Sequence, residues 1–149
     1  MKSIVETKLT QEEIQRIKDI YIKGTKIYLI KMRDKYAPPP KTIGTVEFVD
    51  DIGQIHCNWD NGSTLAIIVG VDQFKVLSIP RTKEEILKIK EKYKISCKIK
   101  INKLGNRPIV REGLLGNIEN VDKYGNIVVR YKTLGTETLV KGVDDFELL

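Results

Sequence analysis

The side chains best suited to chemistry in this 149-residue chain are one histidine, His56, two cysteines, Cys57 and Cys97, and two neighbouring acid pairs, Asp50/Asp51 and Asp144/Asp145. General acid–base catalysis needs a titratable group within reach of the proton it moves, and nucleophilic catalysis needs an activated hydroxyl, thiol or amine. Neither arrangement is written in the spacing. His56 stands in no metal-ligand spacing with cysteines or acids, and its strand position makes it a surface residue. The acid pairs lie beside a turn glycine or a hairpin, where aspartate caps backbone donors. No phosphate-cradling G-x-x-x-x-G-K-[ST] stretch or nucleophile elbow occurs. Asn61-Gly62-Ser63 has the form of a glycosylation sequon but reads as a turn in a cytosolic chain. The expectation is a protein that is not an enzyme, with no catalytic residue, metal or cofactor.

Cations are more informative. The net charge is +6, and it is divided unevenly: residues 6–77 carry ten basic and ten acidic side chains, whereas 78–149 carry fifteen and ten. Most of the excess lies in "RTKEEILKIKEKYKISCKIKINKLGNR" (81–107). On a helix Lys83, Lys90 and Lys94 form a strip at spacings of seven and four. Lys98 and Lys100 then share one strand face, and Lys103 and Arg107 extend the set. Such a strip suits phosphates or an acidic protein, and is also what a solvated helix face looks like. Aromatic residues to interleave with it are sparse, so contact with a duplex or a backbone is expected over base stacking. The first half offers a different candidate surface, an aromatic and proline groove of Tyr28, Tyr36, Pro38, Pro39, His56 and Trp59. Core packing is the leading role for Trp59, because Ile55 and Cys57 share its face.

The elements that must position these residues are written twice. Sliding the sequence against itself by 72 positions aligns residues 6–77 with 78–149 without a gap and gives 22 identities, an internal repeat. Each copy opens with a capping box, "TQEE" or "TKEE", in which the threonine hydroxyl accepts from the third helical N–H and the glutamate reaches back. Ile14, Ile17 and Tyr21, like Ile86, Ile89 and Tyr93, make an apolar helix stripe. Gly24 is expected to end the first helix, and Ser96 stands in its place in the second. The period then changes to two in "KIYLIKM" and "KIKINKL". A long loop follows, and after it three short strands joined by tight turns at Gly53 and at "DNGS". "GVDQF" and "GVDDF" turn into a last short strand.

Five short strands with a long first loop describe a small SH3-like barrel, and about 54 residues is marginal for such a barrel alone. The expected fold class is mainly β with short helices: two tandem five-stranded SH3-like barrels, each preceded by an amphipathic helix. The domains are residues 1–77, with the barrel at about 24–77, and residues 78–149, with the barrel at about 96–149. Hydrophobic residues at 41% suffice for cores, and no run nears the roughly 20 apolar residues of a membrane helix. The start "MKSIVETKLTQEEI" lacks an export pattern, which places the chain in the cytoplasm with two reduced thiols.

The first copy resembles an uncharacterised SH3-like family, a domain of unknown function recurrent in phages and conjugative elements of Gram-positive bacteria. The resemblance lies in P-P followed by G-T-V, V-D-D-x-G-x-I-H, W-D-N-G-S and the closing G-V-D-x-F. The second copy has diverged, with Tyr131 for Trp59 and "KTLG" for D-N-G-S. The resemblance implies a phage or mobile-element accessory protein and carries no activity or site. The expected function is non-enzymatic occupation of a macromolecular target of host or phage, a protein or protein–nucleic-acid complex such as a host defence nuclease. Direct DNA or RNA binding through the basic second repeat is the first alternative, and sequestration of a small nucleotide the second. No membrane partner is expected.

Overall fold

The computed structural model describes residues 8–149, so the reading of the first residues as lacking an export pattern lies outside the described residues. The chain divides into two compact units, one ending at Ile79 and the other beginning at Pro80. Both are mainly β, each with one short helix before a five-stranded antiparallel sheet, in line with two small barrel-like units.

In the first unit helix α1 (Gln11–Ile20) starts at Thr10, whose side chain accepts from the Glu13 N–H while the Glu13 carboxylate accepts from the Thr10 N–H. The stripe of Ile14, Ile17 and Tyr21 is buried. Strands β1 (Lys26–Lys31), β2 (Ile43–Val49), β3 (Gln54–Trp59), β4 (Ile67–Ile68) and β5 (Gln73–Ser78) follow, in the spatial order β4-β3-β2-β1-β5. Alternation sends Ile27, Leu29, Val46, Ile55, Cys57 and Trp59 into the core with Phe74, which Tyr21 meets edge-on at 5.8 Å between centroids.

The second unit repeats the plan. Helix α2 (Lys83–Lys92), with the same capping box at Thr82 and Glu85, precedes β6 (Lys98–Lys103), β7 (Leu115–Val121), β8 (Ile127–Tyr131), β9 (Thr136–Leu139) and β10 (Asp145–Leu148). The order is β10-β6-β7-β8-β9. Ile99, Ile101, Ile118, Ile127, Val129, Tyr131 and Leu139 form its core, with Ile89 and Tyr93 from the helix side.

Two features explain why the repeat keeps certain residues. The turns after β2 and β7 place Gly53 at φ 85° and Gly125 at φ 84°, where a side chain is strained. A Cβ on Gly53 would also stand 2.7 Å from Leu9 Cδ1, and one on Gly125 3.2 Å from Ile89 Cδ1, so the helix closes over these turns. Four aspartates clip backbone loops: Asp50 Oδ1 accepts from the Ile52 and Gln54 N–H groups, Asp122 Oδ1 from those of Tyr124 and Asn126. Asp72 accepts from Arg33 and Ile68 N–H, and Asp144 from Gly105 and Val140 N–H. Asp50 and Asp144 are thus structural carboxylates.

The helices end earlier than expected. Their caps are Tyr21 and Tyr93, three residues before Gly24 and Ser96, because the tyrosine must leave the helical path to reach the sheet. No helix among the described residues is long and apolar enough to cross a membrane.

Candidate functional site

The lysines of the second unit are exposed as a set, but the sheet sorts them. Lys90 sits in the last turn of α2 and Lys94 just beyond it; with Tyr93, Ile95, Asn120 and Val121 they line an open groove of about 490 Å³. A second groove, of about 380 Å³, is lined by Lys98, Leu115, Gly116, Asn117, Arg130, Tyr131 and Lys132. Strand pairing builds it: Lys98 lies opposite Asn117, and Asn117 opposite Arg130, so one transverse row crosses β6, β7 and β8. The two grooves lie at opposite ends of β7, with Asn117 and Asn120 about 10 Å apart along the strand. Neither lining contains a carboxylate.

Between them stands Glu119, whose Oε1 accepts from Arg130 Nη2 at 3.0 Å and Nε at 3.3 Å. Both side chains are about half exposed, so this pair contributes about 0–1 kcal/mol to folding and leaves Arg130 able to exchange its partner.

Other members of the sequence-derived set fall elsewhere. Lys83 is at the far end of α2, and Lys103 faces Asp145 across β10. Lys100 lies opposite Leu115 on one side and Glu147 on the other, a cross-strand pairing that offsets its charge. Arg107 does not join the strip at all. Its side chain is 7% exposed and pairs with Glu137 at 3.4 Å and Asp144 at 3.1 Å. Arg111 Nε approaches the same Glu137 at 3.6 Å, and Tyr131 donates its hydroxyl to Glu137 at 2.5 Å. Burial, then the Glu137 hydrogen bond and charge, push the Tyr131 phenol above its ordinary range. The loop cation that looked available to a partner is consumed inside the unit.

Sequence reasoning missed Arg130, Lys132 and Asn117 as companions of Lys98. Arg130 falls on the outer face of β8, opposite the buried Ile127, Val129 and Tyr131, but its position beside Lys98 depends on the register of β7 between them, which is not a local signal.

The aromatic set of the first unit is not brought into one groove. Trp59 is 3% exposed and donates Nε1–H to the Leu65 carbonyl at 2.8 Å. Pro38 is buried and Pro39 exposed. Tyr36 is 74% exposed with Lys35 Nζ 4.9 Å from its ring centre, while Lys75 Nζ lies 5.4 Å from that of Tyr28. His56 is on the outer face, stacked on Phe48, with Nε2 2.8 Å from Asp50 Oδ2. That is a carboxylate–imidazole pair, with no cysteine, serine or threonine of the described residues among the hydrogen-bond partners of the ring. Among the described residues no three His, Cys, Asp or Glu side chains are grouped to hold a metal ion. Burial alone pushes the Cys57 thiol up to about 12, which keeps it protonated and unreactive.

Residues 10–77 match the family model of a domain of unknown function, DUF4314. The matched stretch runs from the Thr10 helix cap into β5 and lies within the first unit. No curated protein matches the chain.

Proposed function

We propose that this is a non-enzymatic binding protein that occupies a macromolecular target, and that its second unit meets a nucleic-acid backbone through the outer face of β6–β8 and the end of α2. The observation that carries this reading is the pair of grooves at the two ends of β7, lined by Lys90, Lys94, Lys98, Arg130 and Lys132 and by no acid. A polyanion laid along β7 releases condensed counterions at each contact. The match of residues 10–77 to DUF4314 supports an accessory protein of a phage or mobile element, the setting of the family that the first copy resembles. The period of 72 and the shared strand order support a duplication in which one copy became basic. In such a setting the target is a nucleic-acid-handling complex of the host, a defence nuclease being one.

The test is fluorescence anisotropy of labelled duplex DNA, single-stranded DNA and RNA across a salt series, with the whole chain. Four to five phosphate contacts give a slope of log K against log salt of roughly −4 on duplex and roughly −3 on single strands. Combined K94E, K98E and R130E variants are expected to abolish binding, while K83E with K103E leaves it within about threefold. Equal losses from both sets, or no binding at low salt, would refute the reading.

A further inference from the structure

The first unit carries a surface of opposite character. From Thr42 to Phe74 the sequence contains Glu47, Asp50, Asp51, Asp60 and Asp72 and not one lysine or arginine. Of these only Asp72 is buried. The cations that reach this stretch come from outside it: Lys18 binds Asp51 at 3.0 Å, and Lys26 is held by the Thr45 hydroxyl at 2.6 Å. Glu47 is held by the neutral amide of Asn58, and no cation among the described residues pairs with it.

On the β2–β3 hairpin in this acidic stretch lies an exposed aromatic platform. Phe48 and His56 are cross-strand partners, their rings 4.4 Å apart and 4° from parallel. His56 covers one face of the Phe48 ring and is itself fixed by Asp50. Phe48 nevertheless remains 55% exposed, and Ile52 at the hairpin tip 65%. A solvent-facing phenylalanine backed by a second ring is preorganised to receive a flat group. The acidic surroundings repel a nucleotide and attract a cation. Guanidinium is planar and weakly hydrated and lies flat on aromatic faces, whereas ammonium is a compact, strongly hydrated charge that meets them only as a point. In the second unit the same positions hold Asn120 and Val128, beside Lys123, so the platform belongs to the first unit alone.

We propose that the Phe48 face of the β2–β3 hairpin binds an arginine side chain presented by a basic peptide segment of a protein partner, the guanidinium stacking on Phe48 with Glu47 supplying the opposing charge. This does not rest on the nucleic-acid reading of the second unit. The test uses the full chain carrying K98E and R130E, titrated by nuclear magnetic resonance with a capped peptide of alternating glycine and arginine, its lysine counterpart, and a short single-stranded DNA. The arginine peptide is expected to shift the resonances of residues 47–58 and to bind roughly three- to tenfold more tightly than the lysine peptide. F48L is expected to abolish that preference and F48Y to retain it, which separates recognition from folding. Equal binding of the two peptides, shifts confined to other surfaces, indifference to F48L, or DNA shifting the Phe48 ring would each overturn the proposal.

Discussion

At two positions the backbone turns left-handed with opposite residue types in the two units. Gly24 (φ 93°) is equivalent to Ser96 (φ 73°), and Lys41 (φ 76°) to Gly113 (φ 82°). The hydrogen bonding around them is the same: Gly24 N–H donates to Val46 O at 2.9 Å and Ser96 N–H to Ile118 O at 2.8 Å. Lys41 N–H donates to Leu29 O at 2.7 Å and Gly113 N–H to Ile101 O at 2.8 Å. Geometry being matched, what differs is the intrinsic cost, about 1–2 kcal/mol for an L-residue in this region. Glycine returns about 0.4–1 kcal/mol of that through its freer unfolded chain. S96G and K41G are therefore each expected to stabilise by about 0.5–1 kcal/mol. G113K is expected to destabilise by a similar amount, with no steric term because nothing lies within 4 Å of a Cβ there. With a urea slope of about 1 kcal/mol per molar for a unit this small, midpoints move by about 0.5–1 M. Trp59, the single tryptophan and 3% exposed, reports the first unit by fluorescence, so K41G is read there. S96G is read by circular dichroism of the whole chain. A neutral or lowered midpoint for S96G would refute the reasoning, since the backbone hydrogen bonds of the two turns are matched.

Gly44 faces the Trp59 ring, and an added Cβ would stand 2.6 Å from Cε3, whereas at Gly116 the nearest atom is Val129 Cβ at 3.2 Å. G44A is expected to cost about 1–3 kcal/mol and G116A distinctly less, checked by urea denaturation of each. For Asp50, burial works to raise the pKa, but the hydrogen bonds from His56, Gln54 and Ile52 outweigh it and hold the carboxyl low. A depressed folded pKa contributes stability that is fully present above the unfolded value near pH 4 and is lost as the pH falls through the folded one. The denaturation midpoint should therefore drop below about pH 4, and D50N should flatten that limb. With its thiol held near 12 and its side chain buried, Cys57 should resist an aromatic disulfide reagent at pH 8 in the native chain while Cys97, half-buried, reacts first. Fast modification of both would contradict the burial of β3.

What was legible in the sequence was local. The capping boxes at Thr10 and Thr82, the alternation of Ile27/Leu29 and Ile99/Ile101, and the turn glycines Gly53 and Gly125 each carry their signal within a few residues. The "DNGS" hairpin was legible as a turn but not in detail. Trp59 and Ser63 close a three-residue loop with Gly62 left-handed, whereas the corresponding loop between Tyr131 and Gly135 moves the left-handed glycine one place later. The candidate site was only half legible. Lys90, Lys94 and Lys98 follow one another in the chain, but Arg130 and Lys132 reach Lys98 only through the register of β7. The removal of Arg107 depends on Glu137 and Asp144, 30 and 37 positions away, and no periodicity announces it.

That removal shows where the two units are free to differ. Each must close the end of the β3 or β8 strand against the segment that follows it. In the first unit Trp59 does so with an apolar ring and one hydrogen bond to the Leu65 carbonyl. In the second a smaller tyrosine leaves room that Glu137 fills, and a buried carboxylate then needs cations, which the long loop supplies as Arg107 and Arg111. Such a network is no more stabilising than a well-packed apolar substitute, but removing one member leaves an uncompensated charge, at a cost of about 3–5 kcal/mol. Arg107, Glu137 and Asp144 are thus bound to one another by folding rather than by a partner. The units hold in common the aspartate clips, the turn glycines, the helix caps and the tyrosine against phenylalanine, and also exposed lysines such as Lys26 and Lys98. Besides this buried exchange the units differ on their outer faces, with an acidic aromatic hairpin on β2–β3 and a basic row across β6–β8. Neither face enters the shared core, and so the repeated fold tolerates two surfaces of opposite charge within one chain.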